Sequence, residues 1–95
     1  MNERRERTWL RGALHARPAG LLVRLAATFD ARVRISTCEH DADTRSMLDL
    51  LALGADEGDR IEVVAEGPDA DVALTAIREL IERNFDQGLV PQVGR

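Results

Sequence analysis

Aromatic residues are scarce in this chain, and their scarcity excludes a good deal. Trp9, Phe29 and Phe85 are the whole set in 95 residues, with no tyrosine. Three scattered rings cannot form a stacking platform for single-stranded nucleic acid. Lysine is absent as well, so all 13 basic residues are arginine. The 17 acids outweigh them, for a net charge of −4 and a pI near 5.1, so the overall basicity of a nucleic-acid binder is missing. The single cysteine, Cys38, excludes an internal disulfide and fits a reducing compartment. No apolar run is long enough to cross a bilayer. The opening Met-Asn-Glu-Arg-Arg-Glu-Arg lacks the apolar stretch of a secretory signal. A chain of this length has room for one core. The expectation is a small cytoplasmic domain with no nucleic-acid partner and no membrane insertion.

Charge is unevenly placed. Residues 1–34 hold eight arginines against Glu3, Glu6 and Asp30, a local +5, while residues 35–95 hold five arginines against fourteen acids, a local −9. A positive end of this kind suits an anion or an acidic partner. Alanine, arginine and glycine use GC-rich codons, however, so arginine content by itself assigns no role.

Hydrophobic periodicity orders the elements. Residues 1–7 read as a frayed, charged N-terminus and Thr8 to Leu10 as a short strand, closed by a turn at Gly12. From Pro18, the residues Ala19, Leu22, Leu25, Ala26 and Phe29 recur at helical spacing, with the proline suited to a first turn. Arg32 to Ser36 alternates as a half-buried strand, and Cys38 to Asp43 reads as a polar edge strand paired to it. Ser46 to Leu53 is a shorter helix stopped by Gly54. Arg60 to Ala65 is a strand with Ile61, Val63 and Ala65 on one face. After Gly67-Pro68-Asp69 comes a third helix, with Ala73, Ile77, Leu80, Ile81 and Asn84 on one side. Residues 8–85 thus form the domain and 86–95 a flexible tail. The order βαββαβα, with hairpin-paired strands and one-sided helices, predicts an α+β open-faced two-layer sandwich: an antiparallel four-stranded sheet with three helices on one face.

The chemistry concentrates in Leu14-His15-Ala16-Arg17-Pro18-Ala19, where a loop turns into a helix. Amides in a first helical turn are free, and the helix dipole leaves partial positive charge there. Such an end receives anions, and the Arg17 guanidinium adds a fork of donors matched to phosphate oxygens. The His15 imidazole offers a ring nitrogen that can act as a nucleophile. These parts describe a group able to take a phosphoryl on nitrogen.

The same segment resembles the active-site motif Gly-Leu-His-Ala-Arg-Pro-Ala of HPr, the histidine-containing phosphocarrier of the bacterial phosphoenolpyruvate-dependent phosphotransferase system, with Ala13 in place of the glycine. Arg45 to Ala55 looks like the family's regulatory-serine segment, and Gly58 to Gly67 leading into Ala73-Leu74 like its last strand and helix. Three colinear blocks spanning roughly residues 8–85 are far more specific than one short motif. The resemblance implies a phosphocarrier rather than an enzyme, monomeric and without a cofactor, with His15 phosphorylated on Nδ1. Enzyme I would supply the group and an enzyme IIA domain would receive it. Arg17 would steady the phosphoryl, assisted by the amides of Ala16 and Arg17. Sugar-uptake, nitrogen-regulatory and dihydroxyacetone-linked branches share the motif, and a regulatory module acting through Ser46 is the alternative of another class.

Ser46 matches the serine modified by the family's HPr kinase/phosphorylase. Its own surroundings, Ser46-Met47-Leu48-Asp49, form a capping-box-like start to a helix, and the Asp49 carboxylate would face any phosphate placed there. In the same helix Leu50 and Leu53 are expected to face the sheet, leaving Met47, Leu48 and Leu51 as an apolar patch for partners, with Arg24 and Arg45 beside it. Cys38 and His40 would share one side of the edge strand, but two ligands do not make a structural metal site, and none is expected.

Overall fold

Alternation along two of the strands fixes which side of the sheet is wet. In β2 (Arg32–Ser36) Val33 and Ile35 are buried, and in β4 (Arg60–Glu66) so are Ile61, Val63 and Ala65. These two strands pair antiparallel at the centre of a four-stranded sheet ordered β1-β4-β2-β3, with β1 (Glu3–Trp9) and β3 (Asp41–Asp43) at its edges. Helices α1 (Ala16–Ala26), α2 (Met47–Ala52) and α3 (Ala70–Glu82) complete the βαββαβα order. The computed structural model describes residues 3–86, and no described helix is long and apolar enough to cross a membrane. The architecture is the α+β open-faced sandwich expected from the sequence.

The core lies between the sheet and the helices. Leu22 from α1, Leu50 from α2, Ile77 and Ile81 from α3 and Phe85 just beyond it meet Val33, Ile35 and Val63 from the strands, all at most 1% exposed. Full burial of such side chains contributes about 1.5–3 kcal/mol each, enough to hold short helices that would melt alone. Gly54 lies just past α2 at φ +65°, the left-handed stop that its position predicts.

Two elements differ from the sequence expectation. Residues 3–7 are strand, not a frayed end, and β1 stops at Trp9; Leu10 lies beyond it, buried and bonded through its amide to the Asp59 carbonyl at 2.9 Å. The reason is that β1 is polar on both faces. Arg4, Glu6 and Thr8 stand opposite Ala65, Val63 and Ile61 and so face the helices. There they meet polar groups of α3: Arg4 Nε is 2.6 Å from Asp71, Arg78 Nε is 2.6 Å from Glu6, and Thr8 Oγ1 donates to Glu82 at 3.4 Å. The second difference is in the edge strand, which is only Asp41–Asp43. Thr37 Oγ1 accepts the amides of Glu39 and His40, and the Thr37 amide donates to the His40 carbonyl at 2.8 Å. Cys38 and His40 therefore belong to a turn and do not share a strand face. Residues 87–95 of the expected tail, like Met1 and Asn2, lie outside the described residues.

Candidate functional site

The loop from Leu10 to His15 is sewn down at several points, which places His15 on a rigid mount. Leu10 and Leu14 are buried. The Leu14 amide donates to the Ala55 carbonyl at 3.1 Å, and the Gly58 amide to the Leu10 carbonyl at 2.8 Å. On the other side the loop abuts the turn after α3: a Cβ built on Gly12 would stand 2.9 Å from Asn84 Oδ1. A larger residue at position 12 would need only the exposed Asn84 side chain to move aside.

His15 is the N-cap residue of α1, with extended φ −83° and ψ −173°, and it is exposed. Its carbonyl accepts the Ala19 amide at 3.0 Å, while its side chain makes no capping bond. Pro18 has no amide proton, so the donors left over by helix geometry are the amides of Ala16 and Arg17. No acid lies in the first turn of α1 to neutralise them. The first turn of the helix thus carries a positive pole that no acid of its own offsets, next to His15.

Arg17 is exposed, and its Nη2 donates to the Phe85 carbonyl at 3.3 Å. Asn84 and Phe85 have φ +54° and +62°, and this left-handed turn carries the chain under the guanidinium. The Phe85 side chain is 1% exposed and anchors the turn. Neither Phe85 nor Asn84 stands out as a site residue in the sequence: their link to the His15 loop joins residues 68 apart in one case.

The α2 start is built differently. Ser46 Oγ accepts the Asp49 amide at 3.1 Å, the expected cap. The Asp49 carboxylate accepts the Asp43 amide at 3.3 Å, and the Asp43 carboxylate accepts the Arg45 amide at 2.9 Å. Leu50 and Leu53 are buried, while Leu48 is 79% and Leu51 41% exposed. Met47 is partly buried against the core, its Sδ 4.0 Å from a Cβ position on Gly20 of α1. Arg17, Gly20 and Arg24 recur at three and four residues and share one stripe of α1, so α2's apolar side chains adjoin that stripe. Arg24 also borders a hollow with Leu21, Leu25, Leu80 and Arg83 toward α3. Arg45 is directed elsewhere, its Nη2 donating to the Ala31 carbonyl at 3.4 Å.

Fold and corner together define a class: a small open-faced sandwich that presents one imidazole on a fixed helix start beside an exposed apolar surface. The family described as "PTS HPr component phosphorylation site" matches residues 10–83. The phosphocarrier protein HPr of Treponema pallidum is 35% identical over 81% of this chain and 88% of its own. The phosphocarrier protein NPr of Shewanella violacea is 43% identical over 78% of this chain and 81% of its own. The crystal structure of HPr from Thermoanaerobacter tengcongensis superposes with a TM-score of 0.78 at 30% identity, covering 94% of this chain and all of that one. This chain belongs to the HPr family of phosphotransferase-system phosphocarriers, which carry phosphoryl groups and are not enzymes.

Proposed function

We propose that His15 is the phosphoryl acceptor of this carrier, taking the group from enzyme I and passing it to an enzyme IIA domain in sugar uptake. The observation that carries this reading is the open start of α1, where an exposed His15 adjoins two amides with no hydrogen-bond partner among the described residues and no acid stands in the helix's first turn. In each transfer the Nδ1 lone pair attacks phosphorus as the bond to the donor breaks, and the reverse displacement hands the group on. The phosphoryl oxygens gain the Ala16 and Arg17 amides and the helix dipole. The Arg17 guanidinium, bonded among the described residues to the Phe85 carbonyl at 3.3 Å, exchanges that bond for a charge-assisted one. Stabilisation stays modest because the site is solvated, as onward transfer requires. In-line positioning comes from the docked partner.

Met47, Leu48, Leu51 and Arg24 form the docking surface in this reading. An exposed leucine such as Leu48 beside a basic stripe fits acidic partners with apolar centres. The protein acts as a cytoplasmic monomer. Nitrogen-regulatory and dihydroxyacetone-linked phosphotransfer use the same His15 chemistry with other recipients. A separate modification of Ser46 by an HPr kinase/phosphorylase would put a phosphate on the oxygen that accepts the Asp49 amide, close to the Asp43 and Asp49 carboxylates.

The deciding experiment incubates the protein with phosphoenolpyruvate and a matching enzyme I. An acid-labile phosphate that His15→Ala removes, with an unchanged circular dichroism spectrum, is the expected result. No label on the wild type, or full label on His15→Ala, overturns the assignment. Acid-stable label on Ser46 with kinase and ATP would establish the second modification.

A further inference from the structure

The side of the sheet away from the helices carries charge of both signs, and over most of its area that charge is paired. Arg5 lies 3.2 Å from Glu3 and 3.4 Å from Glu62, and Arg34 lies 3.9 Å from Glu3. Arg5 and Arg34 are the cross-strand neighbours of Val64 on either side, and their aliphatic stems account for its 4% exposure. At the end of this face nearest the β1 terminus the pairing gives out. Trp9, directly opposite Arg60, is 50% exposed. The Arg11 guanidinium sits 5.1 Å from its ring centroid. Arg7, with an 83% exposed side chain, reaches only to 3.9 Å of Glu62, which Arg5 approaches more closely. Neither Arg11 nor Arg60 has an ion pair among the described residues. Arg7 and Arg60 wall a hollow of about 340 Å³ that Ser36, Thr37 and Glu62 also line.

We propose that this end of the open face, centred on Trp9 and walled by Arg7, Arg11 and Arg60, is a docking site for a carboxylate-rich segment of a partner protein. Tryptophan and arginine are the residue types that dominate interface energetics, because they combine large contact area with directed donors. Arg11 and Arg60 supply charge with no ion pair among the described residues, Arg7 adds a guanidinium whose carboxylate partner Glu62 lies at 3.9 Å, and the Ser36 hydroxyl adds a donor within the hollow. Glu62 on one flank, with Glu39 and Asp59 in the adjoining hollow beyond Arg60, confine the positive field to a few ångströms. Such a field matches a short run of side-chain carboxylates. A nucleic-acid backbone would need a longer row of cations than these three. The surface lies on the sheet's open side, and the adjoining hollow beyond Arg60 reaches the end of α2 at Leu53 and Gly54.

Trp9 is the chain's single tryptophan and reports on its own site. Titration with poly-L-glutamate at low ionic strength is expected to change Trp9 emission saturably, with the effect lost at high salt. Affinity should fall about tenfold or more in Arg7→Gln/Arg60→Gln, whose exposed substitutions leave the melting curve in place. Amide shifts in nuclear magnetic resonance should centre on Arg7, Trp9 and Arg60. The proposal is overturned if emission does not respond, if the double variant binds equally well, or if the shifts are confined to Ala16 through Arg24. It is also overturned, in favour of nucleic acid, if a single-stranded DNA of equal charge binds as tightly as the polypeptide.

Discussion

Two helix starts in this molecule satisfy the same physical demand in opposite ways. At α2, Ser46 Oγ accepts the Asp49 amide, and Asp49 places a carboxylate in the first turn. At α1 the cap residue is His15, with no side-chain capping bond, and no acid follows it in the first turn. A helix start usually supplies its own acceptor, since capping by serine or aspartate is worth about 0.5–2 kcal/mol. The α1 start forgoes that stabilisation, and in the proposed function its amides and dipole serve an anion from outside. The difference separates a start that is part of the scaffold from one to which the proposed function assigns the chemistry.

The comparison breaks most completely if α1 is given what α2 has. His15→Asp puts a capping carboxylate on a residue whose extended backbone already suits one. Phosphoryl acceptance should vanish, since the nucleophile is gone and its anion site is filled. The melting temperature should nevertheless rise by several degrees, from a gain of about 0.5–1 kcal/mol in a domain of this size. Calorimetry alongside the labelling assay checks both halves. A melting temperature that falls would mean the α1 start is not the open site inferred. Arg17→Gln is a smaller break. It keeps a donor but removes the charge, and loss of a charge-assisted bond of about 1.5–3 kcal/mol slows phosphorylation of His15 about 10- to 100-fold, measured by rapid-quench labelling. An unchanged rate would remove Arg17 from the site.

The legible and illegible parts of this protein divide along sequence distance. The apolar faces of β2, β4, α1 and α3 are written in their own periodicity, and burial follows most of it, although Leu25 and Phe29 are half-buried, Asn84 is exposed, and Leu21, Val64 and Leu74 are buried outside the expected faces. Ser46's cap is equally local, since donor and acceptor are three residues apart. His15 beside Arg17 at a helix start could be read as anion chemistry from six consecutive residues. What could not be read was long-range and polar. β1 carries no apolar alternation because its inward Glu6 and Thr8 are matched by Arg78 and Glu82, with Thr8 and Glu82 74 residues apart. Arg17's partner is a backbone carbonyl, to which any residue could have contributed. A side chain's pattern predicts burial well, but which distant polar group will satisfy it depends on the completed fold.

The smallest effects test whether α2's closed start is independent of the chemistry at α1. Ser46→Ala removes the acceptor for the Asp49 amide and is expected to cost about 1 kcal/mol, a drop of about 4–8 °C in melting temperature, while phosphorylation of His15 keeps its rate. Asp49→Asn is smaller again. It retains an oxygen for the Asp43 amide and loses only the attraction of a charge to the helix dipole, about 0.3–1 kcal/mol. Added salt should shrink that difference, because the dipole term is screened and the hydrogen bond is not. If either substitution slowed His15 labelling more than a few-fold without unfolding the chain, the two starts would be coupled. The approach of Met47 Sδ to Gly20, 4.0 Å from where a Cβ there would stand, would then be the path, since α2 begins at Met47 and a shift of its first turn moves that side chain relative to the helix that follows His15.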